Sequence, residues 1–108
     1  MSKFHNRRVT VDGITFDSMG EAAYWNQLCL MERSGLITGL ERQVAFVLIP
    51  SQEGPDGKRL RPVKYVADFM YRDTGGRHVV DFKGVRTAVY KLKKRLMWHV
   101  HGISIEEV

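Results

Sequence analysis

The sequence predicts a single α/β domain in which two helices pack on a mixed central sheet. Its 108 residues are enough for one modest core and too few for two. Two stretches have the apolar spacing of helices, from about Ser18 to Arg33 and from about Arg86 to His99. Runs rich in β-branched and aromatic residues lie between these helices and after the second. The expected order is therefore helix, three strands, helix, strand.

A basic arm and a short hairpin are expected before the first helix. Residues 1–8 are polar and basic, and we expect them to be flexible until a partner binds. Residues 9–16 alternate in polarity and contain Asp12-Gly13, a dipeptide typical of tight hairpin turns. The hairpin should therefore turn at that dipeptide.

The first helix is followed by two strands separated by a long excursion. The helix should stop before Gly35, because glycine suits the left-handed position after a helix. The strands are expected over residues 43–49 and 63–72. The excursion over residues 50–62 has a Gly-Pro-Asp-Gly tip at residues 54–57, which favours a turn.

A predicted hairpin places two aspartates opposite each other. The strand over residues 63–72 is followed by the turn-like residues 73–76 and by a strand over residues 78–82. Pairing Arg72 with Arg77 sets a register in which Asp68 faces Asp81. Directly opposed β-carbons lie about 4.5–5.5 Å apart, and like charges there repel. Two carboxylates held so close favour a cation between them.

The neighbours of the two aspartates support a metal site over a solvated surface pair. Lys83 follows Asp81 by two residues and should point from the same face. We expect one face of the hairpin to carry Tyr65, Ala67, Phe69, Tyr71, Val80 and Phe82, and the other to flank the aspartates with Val66, Met70 and Val79. Buried carboxylates without a partner are costly. The sequence therefore predicts a metal site with a lysine beside it.

Two interpretations of Glu21 remain open on spacing alone. Ser18 and Glu21 fit a capping box, in which the glutamate bonds back to the amide of the capping residue. Glu21 also shares a helical stripe with Trp25 and Leu28, which directs it toward the edge of the core. A third carboxylate there would complete an oxygen-rich shell for a hard divalent cation.

The second helix is expected to be amphipathic and cationic. Val89, Leu92, Leu96 and Val100 would form its apolar stripe, and residues 103–105 would form the last strand. A polyanionic partner is indicated by the net charge of +5 and by cations on the arm, the excursion and this helix, namely Arg7, Arg8, Lys58, Arg59, Arg61, Lys91, Lys94 and Arg95. A merely solvated helical face is the alternative. Trp25 and Trp98 are interpreted as packing residues rather than as platforms for bases.

The composition excludes several classes of protein. Hydrophobic residues make up 44% of the chain and charged residues 27%, as in ordinary globular proteins. Cys29 is the only cysteine, which excludes an internal disulfide and a cysteine-rich zinc site. No apolar run reaches the length of a membrane span, and the polar start lacks a signal-peptide core. We therefore expect a cytoplasmic protein without a membrane partner.

The pattern of Asp68 followed by Asp81-Phe82-Lys83, with Glu21 on the preceding helix, resembles the PD-(D/E)xK nuclease superfamily and its restriction-endonuclease-like core. Ala67 stands where the superfamily motif has its proline. The chain is also similar, over nearly its whole length, to a small family of phage and prophage endonuclease-like proteins related to Holliday-junction resolvases. The segments that carry this likeness are residues 11–18, 21–22, 65–69 and 89–94.

The resemblance implies a metal-dependent DNA endonuclease in a phage-infected or prophage-carrying bacterium. Glu21, Asp68, Asp81 and the Phe82 carbonyl would hold Mg²⁺, with Mn²⁺ as a substitute, and Lys83 would assist the attacking water. Tyr90 and Lys91 become helpers in DNA binding. The implied substrate is branched DNA, a Holliday junction or a flap, which a homodimer would cut. The alternatives are a non-catalytic nucleic-acid-binding protein of phage replication or regulation, and an RNA-directed nuclease.

Overall fold

Within residues 8–82 and 86–108, which the computed structural model describes, two α-helices and a four-stranded mixed sheet form the framework. The elements in chain order are β1 (Val9–Val11), β2 (Ile14–Phe16), α1 (Met19–Arg33), β3 (Thr38–Ile49), β4 (Gln52–Glu53), β5 (Arg59–Leu60), β6 (Val63–Asp73), β7 (Gly76–Asp81), α2 (Ala88–Leu96) and β8 (Glu106–Glu107). The predicted α/β class and single small domain are confirmed. In the described part of the chain, no helix is long and apolar enough to cross a membrane.

The sheet is antiparallel over three strands and parallel at its last pair. Its order is β3-β6-β7-β8, and α2 connects β7 to the parallel β8. The pairs β1-β2 and β4-β5 form separate small hairpins. The last strand is shorter and later than predicted, because Ile103 and Ile105 are buried beneath α2 before β8 begins. Their alternation reflects packing and not pairing within the sheet.

Two predicted turns are confirmed by backbone conformation. Asp12 and Gly13 both have positive φ, 51° and 79°, as a tight hairpin turn with a right-handed strand twist requires. Gly35 has a φ of 83° after the end of α1, and the amide of the next residue, Leu36, donates to the Met31 carbonyl at 2.9 Å. The turn of the β1-β2 hairpin and the end of α1 therefore lie where the sequence predicts them.

The predicted register of the central hairpin is confirmed. Arg72 pairs with Arg77 and Phe69 pairs with Val80 in the β6-β7 ladder. The ladder ends at that last pair, so Asp68 and Asp81 lie immediately beyond it. The two aspartates therefore occupy the end of the hairpin, where β6 and β7 no longer pair with each other.

Helices α1 and α2 cover opposite faces of β7. Val80 belongs to a cluster packed by α1, the α1 cluster, which contains Leu28, Ile37, Phe69, Tyr71 and Val80. The adjacent Val79 belongs to the α2 cluster, which contains Leu48, Tyr65, Ala67, Val79, Tyr90, Met97, Ile103 and Ile105. Successive strand residues point to opposite faces, so both faces of β7 are buried at this point. Asp81 follows in the same strand and shares this covering.

The β3-β6 ribbon changes the helix it faces at Gln43 and Asp68. Leu40 packs against the α1 cluster and Phe46 against the α2 cluster, although they lie an even number of residues apart in β3. In β6, Phe69 likewise belongs to the α1 cluster and Ala67 to the α2 cluster, although they lie two residues apart. Gln43 has a φ of 55°, in the left-handed region, and pairing is interrupted there without a shift of register.

The expectation that Tyr65 and Ala67 share a packing face with Phe69 and Tyr71 is therefore wrong. Pure alternation assumes an even twist along the strand, whereas a left-handed residue produces a sharp local one. Asp68 lies at this sharp twist.

The buried face of the second helix matches the predicted stripe only at Leu96, which packs against the α2 cluster. Tyr90 and Met97 are buried, whereas Val89 and Leu92 are 62% and 59% exposed. The α-helix ends at Leu96 and continues as a π-helical turn over Met97–His101, which closes at Gly102 with a φ of 67°. The wider turn changes the angular spacing of side chains, so the 3.6-residue period used for the prediction does not continue to Val100.

We expect the left-handed conformation of Gln43 to make glycine favourable there. A side chain in this region costs about 1–2 kcal/mol, whereas glycine adopts it freely. Gln43→Gly should therefore be at least about 1 kcal/mol less destabilising than Ala45→Gly, the matched change at a nearby exposed strand position. Urea unfolding of the two variants measures the difference. Equal losses of stability would show that Gln43 carries no backbone strain.

Candidate active site

Two carboxylates, Asp68 and Asp81, meet at the open end of the β6-β7 hairpin, and a third, Glu21, lies within range of their charge. Asp81 and Glu21 are 1% and 4% exposed, and Asp68 is half-buried. The Asp68 amide donates to Asp81 Oδ1 at 3.4 Å, and the Phe82 amide donates to Asp68 Oδ2 at 2.9 Å. Burial is the main cause of the raised pKa of both Glu21 and Asp68, and smaller contributions come from the charge of Asp81 on Glu21 and of Glu21 on Asp68. The structure thus links Asp68 to Asp81 through a hydrogen bond, and it relates Glu21 to them through charge alone.

Asp68 and Asp81 oppose each other strongly enough to perturb titration. Burial, followed by hydrogen bonding with Asp81, raises the pKa of Asp68 to about 7. The Phe82 amide acts in the opposite direction but does not offset these effects. A proton or a cation shared by the pair would relieve the repulsion. At neutral pH the pair is therefore poised to accept positive charge.

Tyr65 holds Asp81 in place. Its buried hydroxyl donates to Asp81 Oδ2. Burial, together with this hydrogen bond and the charge of Asp81, raises the pKa of Tyr65, so the phenol remains a donor. The sequence predicts Tyr65 only as a packing residue. A site role could have been inferred, because a buried tyrosine hydroxyl requires a hydrogen-bond partner. The structure adds this residue to the site.

Glu21 reaches the site because the start of α1 approaches β7 closely. Gly20 lies against the ring of Phe82, and a β-carbon at Gly20 would stand 2.7 Å from Phe82 Cζ. A larger residue would force the helix or the ring away. Gly20 thus sets the distance between the first turn of α1 and the residue that follows Asp81.

Only half of the predicted capping box forms. Ser18 Oγ accepts from the Glu21 amide at 3.1 Å, as a helix cap does. Glu21 Oε1 accepts from the Asp17 amide at 3.3 Å, one residue before the partner that a capping box would use. Burial is the main cause of the raised pKa of Glu21. A buried carboxylate within range of the charge of Asp81 has more than a capping role available to it.

A polar cavity opens beside Glu21. Its volume is about 360 Å³, and its walls include Thr15, Asp17, Gln43 and two arginines, Arg8 and Arg42. The Arg42 guanidinium lies 5.0 Å from the centre of the Phe16 ring, and its buried Nε has no hydrogen-bond partner among the described residues. An anion in this cavity would meet two cations next to a carboxylate. Arg8 was predicted as a binding residue, whereas Arg42 was missed because it lies on a strand.

Glu107 gathers three groups of the second helical region. It accepts from Arg86 Nε at 2.6 Å, from the Tyr90 hydroxyl at 2.7 Å and from Lys94 Nζ at 2.9 Å. The bonds from Lys94, Tyr90 and Arg86, in that order, lower the pKa of Glu107 to about 2. Glu107 is also the ladder partner of Asp81. Tyr90 and Lys94, predicted as DNA contacts, are therefore anchored beside the carboxylates, and Tyr90 is buried.

The other predicted contacts lie at the surface or outside the described residues. Lys58, Arg59 and Arg61 are exposed on the excursion that carries β4 and β5, and Lys91 and Arg95 are exposed on α2. Arg7, with most of the basic arm, and Lys83 fall outside the described ranges 8–82 and 86–108. Their predicted roles stay predictions.

The donors present suit a hard cation, although they do not form a ready ligand set. Within the described parts of the chain, no group of three His, Cys, Asp or Glu side chains stands in a metal-holding arrangement. Carboxylate oxygens are nevertheless what Mg²⁺ prefers, and the buried Asp68-Asp81 pair has charge to neutralise. The chemistry of the donors therefore fits Mg²⁺, and the carboxylate side chains would have to move closer together to hold one ion.

Comparison with known proteins identifies a family without an assigned activity. A family model described as "Protein of unknown function (DUF1064)" matches residues 1–103, nearly the whole chain. No curated protein and no solved structure matches.

The raised pKa of Asp68 predicts a stability that falls as the pH rises. Folded Asp68 keeps its proton up to about pH 7, whereas its ordinary pKa is 3.8. Between these values the unfolded chain binds fewer protons than the folded chain, so the free energy of unfolding decreases with increasing pH. In metal-free buffer, Asp68→Asn should flatten this decrease between pH 4 and pH 7. Melting temperatures across this range test it, with Asp12→Asn as the control on the β1-β2 turn.

Proposed function

The chain belongs to DUF1064, a family described as of unknown function, and we propose that it is a Mg²⁺-dependent phosphodiesterase that cuts DNA. The observation that carries the proposal is the contact between two carboxylates, Asp68 and Asp81, with the buried Glu21 within range of their charge. Strongly perturbed carboxyls that cluster around buried charge are typical of functional sites. Asp68 and Glu21, whose pKa values are raised chiefly by burial, are two such groups.

A restriction-endonuclease-like core is the finer fold that we propose. The described elements follow the order helix, three strands, helix, strand when the small hairpins are set aside. The carboxylates stand on the central hairpin and on the preceding helix, as the resemblance to PD-(D/E)xK nucleases implies. This agreement of element order and residue position supports the proposal.

In the proposed site, Asp68, Asp81, Glu21 and the Phe82 carbonyl would hold one or two Mg²⁺ ions. The cation supplies charge stabilisation to the phosphate and lowers the pKa of a bound water. Tyr65 fixes the orientation of Asp81 through its hydroxyl. Lys83, two residues after Asp81, would orient the attacking water or neutralise developing negative charge. The product ends implied by the resemblance are a 5′-phosphate and a 3′-hydroxyl.

The arginines of the Glu21 cavity suit the DNA backbone next to the cut. Arg42 presents a buried Nε without a described partner, and Arg8 lies in the same cavity. A phosphate bound there would satisfy both cations without contacting a base. Contacts of this kind position DNA and carry no sequence information.

Branched DNA, a Holliday junction or a flap, is the substrate that we propose, with a homodimer as the acting species. The net charge of +5 favours a polyanion, and a chain of 108 residues contacts a limited length of DNA. Cutting two strands symmetrically therefore calls for two copies. A dimer would present paired tracks of phosphate contacts that recognise shape. The cytoplasm of a phage-infected or prophage-carrying bacterium is the compartment that the resemblance implies.

A non-catalytic nucleic-acid-binding protein is the second candidate. The absence of a ready metal-holding group among the described residues favours it, as does the capacity of Asp68 and Asp81 to share a proton. An RNA-directed nuclease is a further alternative. Incubation of the protein with labelled four-way, flapped, linear and single-stranded DNA and with RNA, with and without Mg²⁺ or Mn²⁺, separates the three.

Asp81→Asn and Lys83→Ala should each abolish metal-dependent cleavage while DNA affinity stays within a few-fold of wild type. Metal-assisted stabilisation of the phosphate is worth several kcal/mol, so a loss of about 100-fold or more is expected. Affinity persists because it comes from cations elsewhere. Cleavage of a labelled flap and binding in EDTA measure the two effects, with Asp12→Asn and Lys64→Ala as matched controls. An Asp81→Asn protein that cuts at the wild-type rate would contradict the assignment.

Glu21→Gln distinguishes the capping role from the metal role. A glutamine preserves the bond to the Asp17 amide, so stability should change little. It is a poorer ligand for a hard cation, so we expect a large loss of activity and a smaller rise in melting temperature on adding Mg²⁺. Glu41→Gln, at an exposed position of β3, is the control. Full activity in Glu21→Gln would assign the residue to the helix start alone.

A further inference from the structure

The second helical region contains a cleft that the three carboxylates do not use. The cleft has a volume of about 310 Å³ and lies between the α2 surface and residues 103–105. Its helical wall carries Lys91, Lys94, Arg95 and Trp98. The opposite wall is short and is formed by Ile103, Ser104 and Ile105.

Trp98 is exposed although the residue before it is fully buried. Its exposed fraction is 64%, whereas Met97 is 0% exposed at the start of the π-helical turn. The expectation that Trp98 is a packing residue is therefore wrong. Trp25 behaves as expected and stacks on Phe69 with ring centres 5.7 Å apart. An indole held at the surface in a cleft exposes apolar area that tryptophan normally buries, which marks a binding site when other groups converge on it.

Two cations beside this indole are free to bind a ligand. Lys94 is held by Glu107 Oε2 at 2.9 Å. Among the described residues, neither Lys91 nor Arg95 has a carboxylate within ion-pair distance, and both are exposed. The cleft therefore combines a flat aromatic face with unneutralised positive charge, which complements a ligand that has both a ring and a negative backbone.

We propose that this cleft binds an unpaired nucleotide of single-stranded DNA, with the base stacked on Trp98 and the flanking phosphates on Lys91 and Arg95. Aromatic faces with neighbouring cations are the means by which proteins hold single strands, because every base has a stacking face and every linkage a charge. A paired duplex keeps its bases stacked inside and cannot present one to the indole. An apolar peptide would leave the two cations without partners.

The cleft is joined to the carboxylates by direct contacts. Lys94 on the cleft wall bonds to Glu107, which accepts from Tyr90 and is the ladder partner of Asp81. A DNA strand held in the cleft would therefore lie near β7, the β-strand that carries Asp81. The inference rests on the proposed function in one respect, since it names the unpaired segment of a flap or junction as the part of the substrate recognised here.

Binding in EDTA tests the cleft without any cleavage. The probes are a short fluorescein-labelled oligothymidylate and a blunt duplex of the same length. We expect oligothymidylate to quench the tryptophan fluorescence of the wild type more than the duplex does. Trp98→Ala should weaken binding of the single strand by about 5- to 100-fold, since stacking contributes about 1–3 kcal/mol per base. Trp98→Phe should retain most of the affinity and lose the quenching.

Matched variants separate stacking from general effects. Val89→Ala removes another exposed apolar side chain of α2 and should not change binding. Lys91→Gln and Arg95→Gln should each reduce the slope of log affinity against log salt by about 0.7, whereas Arg33→Gln, at the end of α1, should not. Unchanged affinity in Trp98→Ala, or equal quenching by the blunt duplex, would overturn the proposal. The binding assay contains EDTA, so its result does not depend on cleavage. A protein that binds single strands in this way but cuts no DNA when Mg²⁺ or Mn²⁺ is added would refute the proposed nuclease activity and leave the proposed binding cleft standing.

Discussion

The repulsion between Asp68 and Asp81 is the constraint on which the site depends. Burial, and then hydrogen bonding with Asp81, raises the pKa of Asp68 to about 7, and the structure surrounds the two carboxylates with hydrogen-bond donors. Tyr65 donates to one oxygen of Asp81, and backbone amides of Asp68 and Phe82 donate to the pair. Such an arrangement is costly for a protein that does not use it, because buried charge without a counter-ion lowers stability. A bound cation would neutralise this negative charge and offset the loss of stability.

The backbone irregularities of the fold lie next to this pair. Gln43, with a left-handed φ, and Asp68 mark the place where the β3-β6 ribbon passes from one helix to the other. Gly20 lets the first turn of α1, which carries Glu21, approach the ring of Phe82 closely. Departures from regular geometry commonly direct side chains at functional sites. Here they bring a strand end and a helix start to the same point.

The two helices contribute different chemistry. Helix α1 supplies a buried carboxylate and, with Arg8 and Arg42, the wall of a polar cavity. The α2 region supplies exposed cations, an exposed indole and, through Glu107, a link to the strand that carries Asp81. A nucleic acid that spans both surfaces would place its phosphates on cations on either side of the carboxylates. This division accounts for a basic chain whose most buried side chains include acids.

The sequence by itself determined the α/β class, the start and end of α1, the turns at Asp12-Gly13 and Gly35, and the register that brings Asp68 to Asp81. These features depend on local rules of capping, turn conformation and alternation, which act over a few residues. The tertiary structure decided that Tyr90 and Met97, not Val89 and Leu92, are buried, that Trp98 is exposed, and that Tyr65, Arg42 and Glu107 join the site. These depend on how the α2 region packs on the sheet, on the change of packing face near Gln43 and on a parallel pairing between β7 and β8. Each involves residues far apart in the chain, whose contacts no local period encodes.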